Sequence, residues 1–424
     1  MRVNTFTQTS GATIHDRRGL ALSLLQSALI ASCGRENTRK SLANYQATDE
    51  FYLISIGKCA LAMASGAHDS CSDKIISSLI ITKEEPLDGS LCNTANVHAY
   101  TSSHPVPDER SLKAGQMLID FIAATPESAK LVFLISGGTS SLVEVLNNNM
   151  SLDELAKANT WLLANDFSIH EINAIRKRFS LIKGGGLLSY IQQRRCDVKL
   201  ISDVPGDTIF NIGSGLLFPD NTADIELQRL PKWLRDHLTN LAPSTLSPAP
   251  SNNSNISAEI IATNSDALRA ITFAAKKLHL SIYWDKNLQF TEDVESVAET
   301  IVNQLAAGAM GVYLWGGEPT VTLPASPGLG GRNQHLALIV ADKIQTLDNI
   351  VFLSAGSDGN DGNSQDAGAI VDGQTVQRGL TLSLDIDEYI QRADAGSFLA
   401  QTGDLINTGP TGTNVMDIMI AIKF

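Results

Sequence analysis

The sequence has few cysteines, a deficit of positive charge and no apolar run long enough to cross a membrane. Its five cysteines, among 424 residues, are scattered and never form a Cys-x-x-Cys pair or a zinc-binding spacing. This usage favours reduced thiols in a cytoplasmic protein. Acidic residues outnumber Lys and Arg by 45 to 32, which argues against a general nucleic-acid binder but permits a local basic pocket. We therefore expect neither nucleic acid nor membrane as a partner.

Three familiar ligand-binding fingerprints are also incomplete. No glycine stands five residues before Gly57, and Cys59 replaces the hydroxyl residue of a phosphate loop. The glycine-rich run at 328–333 lacks the third glycine of a dinucleotide fingerprint, and the acidic run at 354–369 fails the calcium-loop spacing. A standard phosphate loop and a nicotinamide-dependent enzyme are disfavoured.

The most informative stretch present is an apolar segment that runs into two glycines. Residues 131–135 read Leu-Val-Phe-Leu-Ile, and residues 136–140 read Ser-Gly-Gly-Thr-Ser. This pattern predicts a buried strand, a tight turn and a helix start. Glycines allow close approach of the main chain, and N–H groups at a helix N-terminus attract anions. We predict the floor of an anion-binding active site; a structural corner without a ligand is the alternative.

A lysine and a basic segment supply candidate positive charge. Lys58 directly follows a predicted strand at 51–56 and is expected over the carboxyl edge of a sheet, unless it is a surface lysine. The segment from 171 to 186 is the densest positive stretch of the chain. Helical spacing places Asn173 and Arg176 on the same face of a predicted helix. Lys183 lies where three glycines are expected to end that helix. This segment predicts either a solvated helix face or counter-charge for a phosphorylated ligand.

Two carboxylates follow another predicted strand at 198–202. Asp203 and Asp207 lie in a loop stiffened by Pro205. They are placed to hold magnesium or to accept a proton from a hydroxyl, and ordinary turn chemistry is the alternative.

The proline-rich polar segment at 241–257 is the best linker, and it predicts a first domain over 1–250 and a second over 251–424. Both halves alternate strands with helices, including strands at 320–323 and 350–353. An apolar segment after Arg17 and Arg18 superficially resembles an export signal, but its spacing favours an amphipathic first helix packed on the first domain.

In the second half, a glycine-rich run ends at Arg332, where an arginine fork can hold a bound anion. Asp358 and Asp361 lie in the acidic run and are candidates for a nucleotide or metal contact. Thr413 and Asn414 offer hydroxyl and amide donors before a closing strand at 417–422.

Together these stretches resemble the class II glycerate 2-kinases, which have a large N-terminal α/β domain and a smaller MOFRL-type domain. The resemblance rests on motifs in the same order along almost the whole chain: 57–58, 104–108, 136–138, 171–177, 183–185, 202–207, 330–334, 358–362 and 409–414. It implies two α/β domains, the first a Rossmann-like three-layer sandwich and the second a smaller mixed-sheet domain. The active site is expected in the cleft between them.

The resemblance implies ATP-dependent phosphorylation of D-glycerate at its 2-hydroxyl, with Mg²⁺. It implies Lys58 and Arg332 as the basic pair at the reacting centre, and we add Asp203 to orient the hydroxyl. Asp207 and Asp361 are the candidate metal ligands. The predicted substrate- and nucleotide-binding residues are Ser136, Gly137, Gly138, Thr139, Ser140, Asn173, Arg176, Lys183, Gly317, Glu318, Asn333, Gln334, Asp358, Thr413 and Asn414.

Several alternatives stay open from the sequence. A kinase for a longer sugar acid keeps the same chemistry, whereas a hydroxypyruvate reductase would need the nicotinamide site that the glycine pattern lacks. A non-catalytic binder of sugar acids would keep the pocket without consuming ATP. The expected partners are a small sugar acid and a nucleotide, and a homodimer is one option for the assembly.

Overall fold

The computed structural model describes residues 14–46, 49–83, 91–147, 150–163, 165, 169–219, 227–240, 255–345 and 347–424. Within these ranges, no helix combines the length and the apolar character that a membrane crossing requires. The helices are α1 (Ile14–Ala31), α2 (Gly34–Ser41), α3 (Ala60–Cys71), α4 (Glu109–Ala123), α5 (Thr139–Leu142), α6 (Leu152–Leu163), α7 (Ile169–Phe179), α8 (Leu188–Ile191), α9 (Lys232–Asn240), α10 (Asn264–Lys277), α11 (Val294–Ala307), α12 (Arg332–Lys343), α13 (Thr375–Thr381), α14 (Ile386–Gln391) and α15 (Ala395–Thr402). The strands are β1 (Phe51–Ile56), β2 (Ile75–Thr82), β3 (Val97–Thr101), β4 (Lys130–Ile135), β5 (Arg195–Ile201), β6 (Ile256–Ala262), β7 (Ile282–Tyr283), β8 (Gln289–Phe290), β9 (Gly311–Gly317), β10 (Ile350–Gly356), β11 (Gly368–Asp372), β12 (Leu405–Ile406) and β13 (Asp417–Lys423).

The chain forms two compact units. The first, which we call the continuous unit, is Gly34–Ile261. The second, the discontinuous unit, combines helix α1, in the segment that ends at Cys33, with Ala262–Phe424. The linker predicted at 241–257 lies mostly outside the described residues.

The continuous unit is built on a sheet with the strand order β3-β2-β1-β4-β5-β6. The pairs β1–β2, β2–β3, β1–β4 and β4–β5 are parallel. Strands β1, β2 and β3 follow one another towards one edge of the sheet, whereas β4, β5 and β6 follow one another towards the other edge. The direction of strand addition therefore reverses between β1 and β4. Ligands of open α/β sheets bind at the carboxyl ends of the strands beside such a reversal. The prediction of a Rossmann-like first sheet is confirmed.

The discontinuous unit contains a mixed sheet with the order β12-β11-β10-β13-β9-β7. Strand β13 lies antiparallel to both β10 and β9, while β7 lies parallel to β9. Helix α12 packs on this sheet, and Leu336, Val340 and Phe352 are fully buried in the shared core. The mixed second sheet expected from the resemblance is therefore present.

One local prediction was wrong, because the strand predicted at 320–323 is reduced to a single bridge between Asp293 and Thr320. The helix start predicted after the two glycines is present at Thr139, and this helix is one turn long, because Val143 returns to extended backbone with φ −125° and ψ 131°. Alternating apolar residues cannot reveal whether a partner strand lies alongside, and β pairing depends on such neighbours.

Helix α1 belongs to the discontinuous unit rather than to the first domain, where the sequence analysis placed it. Its predicted apolar face is buried, with Ala21 and Ala28 fully inaccessible and Leu24 at 1% exposure. That face packs against α10, β10 and β13. Amphipathic spacing predicts that a helix has a buried face but does not specify which sheet covers it.

We expect Arg18→Met to destabilise the discontinuous unit. The Arg18 guanidinium bridges Asp372 at 2.6 Å and Asp404 at 2.8 Å, and both carboxylates are almost fully buried. Removal of one partner from a buried ion network costs about 3 kcal/mol of unfolding free energy. Denaturant titration measures this loss. The matched variant Arg269→Met removes a surface pair with Asp266 and should cost about 0.5 kcal/mol or less; equal losses in the two variants would contradict the prediction.

Candidate active site

Lys58 and the glycine turn lie side by side because β1 and β4 are neighbours in the parallel sheet. The Lys58 backbone N–H donates to the Gly137 carbonyl at 2.8 Å. The next residue, Cys59, donates its N–H to Ser136 Oγ at 3.0 Å, and Thr139 Oγ1 donates to the Ser136 and Ile56 carbonyls. The hydroxyl groups of Ser136 and Thr139 thus connect the two strand ends by hydrogen bonds.

At Gly138 the side chains of two other residues approach the backbone of this turn closely. Its φ of +83° lies in the left-handed region that glycine adopts without strain. A Cβ on this residue would lie 3.0 Å from His104 Cδ2 and 3.1 Å from Lys58 Cγ. Glycine therefore leaves room for the lysine and histidine side chains to approach the turn closely.

A cavity of about 210 Å³ opens beside Gly138 within the continuous unit. It is lined by His104, Pro105, Pro107, Gly138, Ser140, Ser141, Glu144, Leu155, Asn159, Arg176, Lys183 and Ser214. Four of these, Gly138, Ser140, Arg176 and Lys183, were predicted as binding residues from the sequence. Asn173 was predicted with them, but it is not among the lining residues.

The two cations of this cavity are held by different kinds of partner. Arg176 donates from Nε to the Asn159 amide oxygen at 2.6 Å. Burial lowers the pKa of Arg176, an effect that the Glu144 charge partly opposes. Lys183 instead forms a short ion pair with Glu144, and both side chains are buried. An anion that enters the cavity meets one guanidinium with a neutral partner and one ammonium that is already paired.

The loop after β5 places the candidate carboxylates at the same carboxyl edge of the sheet. Asp203 is half-buried and follows the strand directly. Asp207 ends a short turn, Pro205–Asp207, with a φ of +51°. Its Oδ1 atom is buried and accepts no hydrogen bond from any residue that the structure describes. An unsatisfied buried carboxylate oxygen is costly unless a cation or proton satisfies it.

Arg332 begins helix α12 in the discontinuous unit. Its Nε and Nη2 atoms donate to Asp417 at 2.5 and 3.1 Å, and Nη2 also donates to Glu318 at 2.9 Å. Burial opposes the charge, but attraction to Asp417 and Glu318 raises the pKa of Arg332 overall. Within the described part of the chain, Nη1 has no hydrogen-bond partner, so this end of the fork is available to a ligand.

Asp361, predicted as a metal ligand, caps helix α12 in the structure. Its two carboxylate oxygens accept the backbone N–H groups of Asn333 at 3.0 Å and Gln334 at 2.8 Å. Burial raises the pKa of Asp361 to about 6 despite these bonds. The described residues contain no group of three His, Cys, Asp or Glu side chains that could hold a metal.

The other predicted residues of this unit cluster at one edge of its sheet. Gly317 ends β9 opposite Asp417, and Glu318 follows it. Asp358 lies just after β10, and the buried Thr413 and Asn414 just before β13. The remaining two, Asn333 and Gln334, are buried in the first turn of α12. The side-chain amide oxygen of Asn333 accepts a hydrogen bond from Ser354 Oγ at 2.6 Å. The side-chain amide of Gln334 has no hydrogen-bond partner among the described residues.

The sequence analysis missed three side chains that shape the cavity. Glu144 and Asn159 orient the two cations, and the Ser214 hydroxyl lies 2.5 Å from that of Ser140. Ser214 lies in a turn with φ values near +60° at residues 213 to 215. The sequence Gly213-Ser214-Gly215 signals such a turn, whereas no local signal connects Glu144 or Asn159 with the cavity.

Two family models and several known proteins match this chain. Residues 18–238 match a domain of unknown function, DUF4147, and residues 311–417 match the MOFRL family. A D-glycerate 2-kinase from Thermotoga maritima is 31% identical over 390 residues, which cover 88% of this chain and 91% of that protein. The chain belongs to the glycerate 2-kinase family.

A solved structure supports the same relationship for this glycerate 2-kinase family member. The crystal structure of a glycerate kinase from Thermotoga maritima has a TM-score of 0.82 and 27% identity, and covers 97% of this chain and 100% of that one. Another relative, from Agrobacterium vitis, is named a putative hydroxypyruvate reductase; it is 32% identical over 86% of this chain and 97% of its own length.

In this member of the glycerate 2-kinase family, His335 should make the fold sensitive to acid. His335 is 5% exposed in α12, and burial lowers its pKa below the usual 6.5. Below about pH 6.5 the unfolded chain binds a proton that the folded chain resists, so the free energy of unfolding falls as pH falls. We expect His335→Gln to lose less stability than the wild type between pH 7 and 5.

A control separates this effect from other titrations. Because the pKa of Asp361 is raised to about 6, its own contribution to stability grows as pH falls through that value, opposite to that of His335. The difference between variant and wild type isolates the histidine. The exposed His279, changed to Asn, should leave the pH profile unaltered; an unaltered profile for His335→Gln would refute the prediction.

Proposed function

We propose that this protein transfers the terminal phosphoryl group of ATP to the 2-hydroxyl of D-glycerate. The observation that carries the proposal is the cavity of about 210 Å³ in which Arg176 and Lys183 face Gly138, with Lys58 against the same glycine. A small hydroxy acid needs cations for its carboxylate, and phosphoryl transfer needs positive charge around the moving group.

The proposed roles follow from these positions. Arg176 and Lys183 bind the carboxylate, with Asn159 and Glu144 as the side chains that orient them. Lys58 stabilises negative charge on the transferred phosphoryl group, and Asp203 orients the 2-hydroxyl. The available Nη1 of Arg332 would donate to a phosphate oxygen. That Lys58 and Arg332 act on the same phosphoryl group stays a prediction for kinetics.

Magnesium is part of the proposal because one carboxylate oxygen of the site is suited to bind it. The buried Oδ1 of Asp207 has no partner among the described residues, and Mg²⁺ is commonly bound through one or two carboxylates with nucleotide phosphates as further ligands. When bound, the ion would neutralise phosphate charge. Asp361 fits this role less well, since both its oxygens accept N–H groups of α12.

The deciding experiment mixes the purified protein with D-glycerate, ATP and Mg²⁺ and follows ADP release with a coupled assay. The position of the new phosphate is read by phosphorus NMR, and the 2-phosphate is expected. Parallel arms with hydroxypyruvate and NADH, and with a four-carbon sugar acid, test the reductase and the longer substrate. Glycerate binding without ADP release would instead support a sugar-acid binder, and NADH consumption would overturn the kinase.

We propose a cytoplasmic location on the basis of the cysteines. All five lie in the described part of the chain and none of them forms a disulfide there, and Cys59, Cys71 and Cys196 are buried. Burial raises the pKa of the Cys71 and Cys196 thiols to about 11 and about 12, which makes them poor nucleophiles. Cysteines without disulfides, some of them buried and weakly nucleophilic, are typical of proteins that work in the reducing cytoplasm.

A further inference from the structure

An acidic side chain lies in the wall of a cavity that is proposed to bind an acid. Glu144 is 1% exposed, its Oε2 atom pairs with Lys183 Nζ, and its Oε1 atom accepts the Val145 N–H at 3.1 Å. Its own backbone N–H donates to the Ser111 carbonyl at 3.0 Å. The carboxylate is thus fixed beside the cation that a substrate carboxylate would approach.

The side chains that line the cavity carry a small net charge. Arg176 and Lys183 contribute two positive charges and Glu144 contributes one negative charge, so the wall has a net charge of +1. His104 also lines the cavity. Lys58 packs against Gly138 but is not one of the lining residues.

Net charge contributes to ligand binding in this cavity because two of its charged wall groups, Glu144 and Lys183, are themselves buried. A ligand with one negative charge neutralises the wall, whereas a ligand with two leaves an uncompensated negative charge beside Glu144. Such like-charge contacts are a common means of rejecting a wrong ligand of the right size.

We infer that Glu144 is a specificity-determining residue that limits this cavity to acids with a single negative charge. The inference rests on the proposed function and extends it, because it separates glycerate from dicarboxylates and phosphorylated acids of similar size.

The test compares D-glycerate with tartronate, in which a second carboxylate replaces the hydroxymethyl group. Isothermal titration calorimetry at pH 8 measures both affinities without any turnover. In the wild type, tartronate should bind at least about tenfold more weakly than glycerate. Glu144→Gln raises the net charge of the wall to +2 and should shift the ratio of affinities at least about tenfold towards tartronate.

A second variant separates charge from shape. Glu144→Gln combined with Lys183→Met restores a net charge of +1 and should return the ratio towards that of the wild type. Glu259→Gln breaks another pair with a lysine, Lys199, and should leave the ratio unchanged. If Glu144→Gln does not fold, the wild-type ratio and the double variant still test the rule.

The possible failures are distinguishable. A folded Glu144→Gln protein that keeps the wild-type ratio, or a wild type that binds tartronate as tightly as glycerate, overturns the inference even if glycerate is phosphorylated. A wild type that binds neither acid overturns the proposed function as well.

Discussion

Lys58→Met should lower kcat with D-glycerate and ATP roughly 1,000-fold, because a cation that neutralises a transferred phosphoryl group contributes a factor of this order. The backbone of residue 58 is fixed by the Gly137 carbonyl, and the side chain lies against Gly138. Methionine preserves the length and apolar stem of the side chain and removes only the charge. We therefore expect the KM for glycerate to change far less than kcat.

Two control measurements accompany this prediction. Unfolding curves should show that Lys58→Met is folded under the conditions of the assay, so that the fall in kcat is assigned to the folded enzyme. Lys232→Met, which removes a lysine whose side chain is 83% exposed, should keep full activity. A Lys58→Met enzyme with near-normal turnover would remove Lys58 from the reacting centre.

Arg332→Met should lower kcat roughly 100- to 1,000-fold, the range expected when a preorganised donor to a transition-state charge is lost. The variant should also lose about 2 kcal/mol of unfolding free energy, because Asp417 is 1% exposed and would be left unpaired. Steady-state kinetics and denaturant titration measure the two effects on the same preparation.

A double variant separates catalysis from folding. Arg332→Met with Asp417→Asn removes the orphaned charge and should recover most of the lost stability while activity stays low. Recovery of activity together with stability would mean that Arg332 serves the fold alone. Combining Lys58→Met with Arg332→Met adds a further check, since residues that act on one group give losses that are less than multiplicative.

The sequence predicted much of the site because strand ends are local signals. The strands before Lys58 and before Gly137 end where expected, and their adjacency follows from a parallel sheet. Arg176 and Lys183 were found from charge density and helical spacing, and both line the cavity.

Other features depend on contacts between distant segments and could not be predicted in this way. Glu144 is a single acidic residue in an irregular stretch, and only the fold brings it to Lys183, 39 residues later. Asp361 belongs to a run of Asp, Gly and Asn that resembles a metal loop, yet it caps a helix that begins 29 residues earlier. Short polar motifs of this kind fit several structures equally well until the partner segment is known.

The assignment of helix α1 to the discontinuous unit has a consequence for biosynthesis. Residues 34–261 form a contiguous unit that can begin to fold as it leaves the ribosome, since domains generally fold as units during synthesis. Helix α1 is made earlier, but its packing partners β10 and β13 are translated only after that unit. Until then the apolar face around Leu24 is without its native cover, so the nascent chain carries an exposed hydrophobic helix for most of translation. Chaperone dependence during expression should therefore be traced first to this helix.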